Sequence, residues 1–197
     1  MNVLFLGNKN SEHSVDLYNY FRDEEGRVLF IDRKVVSEDL EEFKPDIIVS
    51  YNYRFIIRPA VFNYPKYGAV NLHISYLPWN KGADPNFWSF IDKTAKGVTI
   101  HCIDKGLDTG DIIVQKEVEF SENDTLKTSY EKLHAEIKNL FKQEWKNIRI
   151  GKYSRRRQNA DEGSYHKSAD KEPLLHLLSN GWDTKVSVLA DYLEKER

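Results

Sequence analysis

The sequence predicts an α/β domain with a mainly parallel sheet, followed by a small C-terminal appendage of loops and short helices. Three observations predict it. Short apolar runs of strand character alternate with segments of helical spacing through residues 1–150, the order expected of a parallel sheet crossed by helices. Polar residues able to do chemistry fall at the ends of those runs, where open α/β sheets place their ligands. After Gly151 the composition changes: residues 151–171 are basic, polar and poor in aliphatic side chains.

Each element has a local reason. Residues 2–7 form an apolar run ending in Gly7 and read as a buried strand. Residues 11–25 carry Val15, Leu17, Tyr18 and Phe21 at roughly helical spacing, and Gly26 stops that helix. A second strand covers 27–32, a short helix 37–43, and a third strand 46–50 after Pro45. A helical turn at 58–64 leads to a fourth strand at 68–73. Residues 74–83 hold Pro78 and Gly82 and read as a long loop, with a short helix near 85–93. The run 97–103 alternates Val98, Ile100 and Cys102 against Thr99, His101 and Ile103, which suits a strand, and another follows at 112–120. Residues 121–124 open the strongest helix, whose apolar stripe includes Leu126, Tyr130, Leu133, Ile137, Phe141 and Trp145. Two short helices are expected at 172–178 and 184–195, split by Asn180-Gly181. The division is therefore a core over 1–150 and an appendage over 151–197 that packs on it.

Composition narrows the function. A chain of 197 residues fits one domain with a short addition, and at 40% hydrophobic it can bury a core. No apolar stretch approaches the ~20 residues that span a bilayer, and the opening residues lack the basic lead and cleavage site of a signal peptide. Cys102 is the only cysteine, which fits a reducing, cytoplasmic compartment and leaves the Asn123-Asp124-Thr125 sequon idle. A net charge of -2 argues against tight binding to a nucleic-acid backbone. The Arg155-Arg156-Arg157 run reads as a solvated face. Gly7 invites a dinucleotide reading, but the second and third glycines of that fingerprint are missing from Gly7-Asn8-Lys9-Asn10-Ser11-Glu12.

The chemistry concentrates in two strand ends. Asn71 and His73 lie two apart on a strand, so their side chains share one face. An amide beside an imidazole can donate to a developing oxyanion. Asp108 follows 37 residues after Asn71, in a loop that also ends a strand. A carboxylate near His73 would orient the ring and raise its pKa. Asn-x-His alone is a weak signal.

Together, Asn71-x-His73, Ser75-x-Leu77-Pro78 and Asp108-Thr109-Gly110 before Ile112-Ile113 resemble the folate-dependent formyltransferase family. That family includes glycinamide ribonucleotide formyltransferase, methionyl-tRNA formyltransferase and the sugar N-formyltransferases. The resemblance covers most of residues 1–150. It departs at Ile74 and Asp111, where many members have proline. The stretch from Pro78 through Trp79 to Trp88, together with Ser164-Tyr165-His166-Lys167 and Gly181-Trp182-Asp183-Thr184, resembles the sugar branch. Those enzymes formylate nucleotide-linked (dTDP-linked, for example) 4-amino-4,6-dideoxy sugars for lipopolysaccharide or other surface glycans.

The resemblance implies a Rossmann-like core, 10-formyltetrahydrofolate as formyl donor, and a homodimer. It implies Asn71, His73 and Asp108 as catalytic residues. Asn71 and a protonated His73 would donate to the oxyanion; Asp108 would keep His73 charged and take the amine proton. It also implies that Arg54, Phe55, Ile56, Ile57, Asp104 and Lys105 wrap the pterin, largely by backbone groups. On the acceptor side, Trp79 could stack on a base or sugar and Lys81 could meet a phosphate. Asn80 stands between them, and Tyr165 and His166 could close the pocket.

Other readings use the same residues. Asp-Thr-Gly also marks aspartic proteases, but those are mostly β and need two such carboxylates; one copy is present. A metal could be drawn from His73, His101 and Asp108, yet no close ligand spacing supports it, and no metal is expected. His101 reads as a packed histidine or one that supports the catalytic residues from behind, and His134 as structural. A purine-pathway formyltransferase, or a folate or nucleotide sensor on the same fold, remains as an alternative.

Overall fold

The computed structural model describes residues 1–159 and 161–192. In chain order the first half gives β1 (Asn2–Gly7), α1 (Glu12–Glu25), β2 (Arg27–Ile31), α2 (Ser37–Phe43), β3 (Ile47–Tyr51), α3 (Pro59–Phe62) and β4 (Ala69–His73). It continues with β5 (Lys81–Gly82), α4 (Pro85–Ile91), β6 (Gly97–Cys102), β7 (Ile112–Glu117) and α5 (Leu126–Ile148). The C-terminal region adds β8 (Tyr165–His166), 3-10 segments at Ser168–Leu177 and Gly181–Asp183, and α6 (Val186–Ala190).

Six strands form the central sheet in the order β2-β1-β3-β4-β6-β7. The four strands from β2 to β4 run parallel. The β4–β6 and β6–β7 pairs are antiparallel. No helix joins β6 to β7, and only an antiparallel pair can be closed by a short connection of that kind. The expected mainly parallel α/β sheet is therefore present, with an antiparallel edge.

Alternation sorts the strand side chains between two apolar layers. Val3 and Phe5 meet Leu17, Phe21, Phe141 and Trp145 on one face. Leu4 and Leu6 meet Ile31, Leu40 and Ile48 on the other. In β4, Val70 and Leu72 join the first layer, which turns Asn71 and His73 toward the opposite face. The α5 stripe packs as expected, with Leu133, Ile137, Phe141, Trp145 and Ile148 buried. Thr125 caps it, its side chain accepting from the Thr128 N–H while Thr128 Oγ1 accepts from the Thr125 N–H. Gly26 ends α1 with φ 71°, a left-handed cap that glycine adopts without a Cβ penalty.

Three differences from the sequence reading matter. The segment read as a helix at 172–178 is a 3-10 run over Ser168–Leu177 with Pro173 inside it and none of its residues buried. Proline removes a backbone donor and clashes in an α-helix. The helix expected at 184–195 is the five-residue α6; its last expected residues, 193–195, lie outside the described residues. Within the loop at 74–83, Lys81 and Gly82 form a two-strand sheet with Tyr165 and His166. Two-residue strands carry no periodicity to read.

Candidate active site

Asn71 and His73 end β4, and β6 brings His101 directly opposite Asn71. The β6–β7 register shifts between Ile100 and His101, a bulge of the kind that re-aims a side chain beside a site. The loop after β6 returns Asp108 to the same place. Its backbone has φ 55°, a left-handed conformation that aspartate tolerates better than most residues.

Four side chains converge there. Asn71 Nδ2 lies 3.3 Å from Asp108 Oδ1 and 3.2 Å from His101 Nε2. His73 Nδ1 lies 3.8 Å from Asp108 Oδ2, and His101 Nε2 lies 3.5 Å from Asp108 Oδ1. His101 Nδ1 bonds the Cys102 carbonyl at 2.8 Å, so that nitrogen carries the proton. The Gly82 N–H donates to Asp108 Oδ2 at 2.9 Å. Gln158 donates to the Asp108 and Gly110 carbonyls, both at 2.8 Å. The sequence singled out Asn71, His73 and Asp108; of its two readings of His101, packing or support behind the catalytic residues, the geometry matches the second, and nothing in it pointed to Gln158.

Electrostatics correct one expectation. Asp108 was expected to keep His73 charged. Burial instead pushes the His73 imidazole below 6.5, and the pull of Asp108 does not overcome it. His73 Nε2 donates to the Asn80 carbonyl at 3.2 Å; a carbonyl only accepts, so the neutral ring leaves Nδ1 bare on the Asp108 side. Burial alone would raise the Asp108 carboxyl, but the positive charge that His73 and His101 bear when protonated, with the Gly82 N–H, holds it far below the usual carboxylate range. Burial thus makes His73 harder to protonate than an ordinary histidine, while Asp108 stays ionised.

A cavity of about 590 Å³ opens over these groups. Phe55, Ile56, Ile57, Asp104 and Lys105 line it, together with Leu107. Arg54, expected with them, is exposed and is not part of that wall. A second chamber of about 190 Å³ adjoins the first, sharing Ile74, Asp84, Pro85 and Tyr130 with it. Its walls include Phe87, Leu126, Leu178 and Trp182, and Lys171 stands at its edge in an ion pair with Asp84 at 3.0 Å.

The expected acceptor-side residues divide. Tyr165 lines the large cavity; Trp79, Asn80, Lys81 and His166 line neither space. Asn80 is fully buried, and its side chain bonds Thr94 and Ser164. The His166 ring stacks on Trp88 at 3.9 Å and bonds Asp92 at 2.8 Å. The structure therefore makes Asn80 and His166 framework rather than wall. Trp182, Tyr130 and Lys171 take the wall positions instead. The likeness of Gly181-Trp182-Asp183-Thr184 to the sugar branch was the sequence signal for Trp182; Tyr130 was read only as part of the α5 stripe, and Lys171 was not singled out. Among the described residues, no group of three His, Cys, Asp or Glu side chains is placed to hold a metal.

A family model described as "Formyl transferase" matches residues 3–144. The chain belongs to the formyltransferase family. This formyltransferase is 48% identical to the formyltransferase PseJ from Anoxybacillus kamchatkensis, whose structure contains UDP-4,6-dideoxy-4-formamido-L-AltNAc and tetrahydrofolate. That match covers 96% of this chain and 97% of that one, with a TM-score of 0.88. A Mycobacterium tuberculosis protein described as a likely sugar N-formyltransferase is 27% identical over 88% of this chain and 78% of that one, with a TM-score of 0.78. Methionyl-tRNA formyltransferase from Caldanaerobacter subterraneus is 32% identical over 68% of this chain and 44% of its own length. The formyltransferase thus spans about half or less of the curated relatives it matches.

Proposed function

We propose that this formyltransferase moves a formyl group from 10-formyltetrahydrofolate to the amine of a nucleotide-linked 4-amino-4,6-dideoxy sugar. The observation that carries this is the convergence of Asn71, His73 and Asp108 on one wall of a two-compartment cavity. The full-length likeness to a relative holding a UDP-linked 4-formamido sugar and tetrahydrofolate supports the sugar branch. It favours a UDP carrier over dTDP. The division into a core over 1–150 and an added C-terminal region belongs to the same reading, since the family match ends at 144. So do a homodimer and a cytoplasmic location; among the described residues no helix is long and apolar enough to cross a membrane.

The large cavity suits a folate. Its volume lies within the range of small-molecule sites, and Phe55, Ile56, Ile57 and Leu107 offer apolar surface to a flat ring while Asp104 and Lys105 border it. When bound, the folate supplies an acyl carbon open to attack by an amine. Asn71 would donate through Nδ2 toward the oxygen on which negative charge develops. Its bonds at 3.2 and 3.3 Å are long enough to be exchanged for that contact. His73 would take the amine's proton at Nδ1 as the new C–N bond forms, and would return it to the folate nitrogen as the old C–N bond breaks. Asp108 would steady the imidazolium so formed. The aromatic second chamber, with Lys171 at its edge, would seat part of the nucleotide-linked acceptor.

The test is mass spectrometry of the protein with 10-formyltetrahydrofolate and a panel of UDP- and dTDP-linked 3-amino and 4-amino sugars plus glycinamide ribonucleotide. A formyl gain on a nucleotide-linked 4-amino sugar alone is expected. Gain on glycinamide ribonucleotide alone would place the protein in purine synthesis, and absence of folate binding would overturn the reading.

A further inference from the structure

We infer that Ser164 is a positioning residue for His73 and Asp108, acting through the backbone of Asn80 and Gly82. This rests on the formyl-transfer reading of the site, and it concerns a segment beyond the family match, which ends at residue 144.

His73 and Asp108 both take a partner from the loop between β4 and α4. His73 Nε2 donates to the Asn80 carbonyl, and Asp108 Oδ2 accepts from the Gly82 N–H. Beyond the two residues of β5 that loop has no regular structure; Ser75 and Tyr76 hold Trp79 from within it, and Asn80 has a left-handed φ of 55°. At Asn80 its shape is set from outside, by Thr94 and Ser164. The Ser164 hydroxyl accepts from the Asn80 N–H at 2.9 Å and donates to Asn80 Oδ1 at 3.0 Å. The Ser164 carbonyl accepts from the Lys81 N–H at 3.0 Å, and the Ser164 N–H donates to the Pro78 carbonyl at 3.3 Å. One residue thus grips the loop on both sides of the carbonyl that holds His73.

The neighbours of Ser164 make the grip stiff. Gly163 has φ 103°, and a Cβ there would stand 2.1 Å from the Pro78 oxygen. Gly82 has φ 88°, and a Cβ there would stand 2.3 Å from the His166 oxygen. Only glycine allows either approach. His166 accepts at its carbonyl from the Ala83 N–H at 2.9 Å, and its ring is pinned between Trp88 and Asp92. The segment 163–166 therefore ties the loop to α4.

The experiment uses the full chain with Ser164→Ala, which leaves one methyl where a donor and an acceptor stood, and Ser164→Thr, which keeps the hydroxyl. For Ser164→Ala, kcat should fall ~10- to 100-fold, the scale of a sub-ångström to 1 Å misplacement, with KM for folate and acceptor nearly unchanged. The His73 ring, followed by NMR titration of its nitrogens, should move upward toward the ordinary histidine value as the loosened loop admits water. Ser164→Thr should restore both. A merely structural serine would lower the melting temperature and leave kcat and the His73 titration unmoved, which would overturn the inference. If Ser164→Ala does not fold, His166→Phe, which keeps the stack on Trp88 and loses the bond to Asp92, should show the same direction with a smaller effect; an unmoved His73 there would equally overturn it. Should the wild type transfer no formyl group at all, the functional reading fails, and the His73 titration still decides whether Ser164 governs that ring.

Discussion

Phe5, Phe21, Ile137, Phe141 and Trp145 of the core are almost fully buried, whereas the two 3-10 segments of the C-terminal region bury none of their residues. The core coheres through apolar packing around a sheet. The C-terminal region is joined to it largely through hydrogen bonds: Gln158 to the Asp108 loop, Ser164 to Asn80, and His166 to Asp92. Its chief apolar anchors are Val186 and Leu189, which join Phe87, Trp88 and Leu126. Apolar burial is non-directional and supplies stability, while hydrogen bonds have fixed geometry and supply position. The side chains proposed for chemistry come from the first region, and much of the restraint on them comes from the second.

This contrast is broken or sharpened by substitutions on each side. Asp108→Ala has the largest expected effect: formyl transfer drops roughly 10²–10⁴-fold, the usual contribution of an acid–base group, with the circular dichroism spectrum retained. Normal turnover would remove Asp108 from the mechanism. Phe141→Ala, in the apolar core, should lower unfolding stability by about 3–5 kcal/mol in urea titrations and leave KM of the folded fraction unchanged. A loss below about 1 kcal/mol would mean the site collapses around the cavity.

A pH series probes the core without the catalytic residues. His134 is fully buried under the stacked His13 ring and bonded to the Tyr51 hydroxyl. Burial is the main cause that holds its pKa at about 2. The folded state therefore stays neutral while the unfolded state takes a proton below about pH 6.5. Stability is full above that pH and falls as pH drops, by at most about 1.4 kcal/mol per pH unit for this group. His134→Phe should flatten that slope by about one proton; an unchanged slope would place the acid sensitivity elsewhere, with His73 carrying the same sign. The smallest effect belongs to the C-terminal surface. Leu175→Ala, at an exposed position, should change stability by no more than about 0.5 kcal/mol, and a larger loss would show that Leu175 packs on the core as its neighbours Leu174 and Leu177 do.

Local pattern made much of this legible. The short helix at 37–43, the glycine stop at Gly26 and the long α5 stripe follow from period, caps and breakers that lie within a few residues of one another. The pair Asn71 and His73 was legible because alternation along one strand places both on one face. Asn80 and His166 were read too simply, since proximity in sequence to a site says nothing about which way the fold turns a side chain. Asn80 is adjacent to the loop's aromatic residue yet fully buried.

The sequence by itself determined the α/β class, the apolar stripe of α5 and the residue types at the ends of β4 and in the loop after β6, because period and residue chemistry are local properties. Tertiary structure alone decided that His101 faces Asn71, that burial lowers the pKa of His73 beside an ionised Asp108, and that Gln158 and the segment 163–166 return to hold the loops carrying Asp108 and Asn80. Those outcomes depend on desolvation and on contacts between segments dozens of residues apart, and neither is written in any short stretch of the chain.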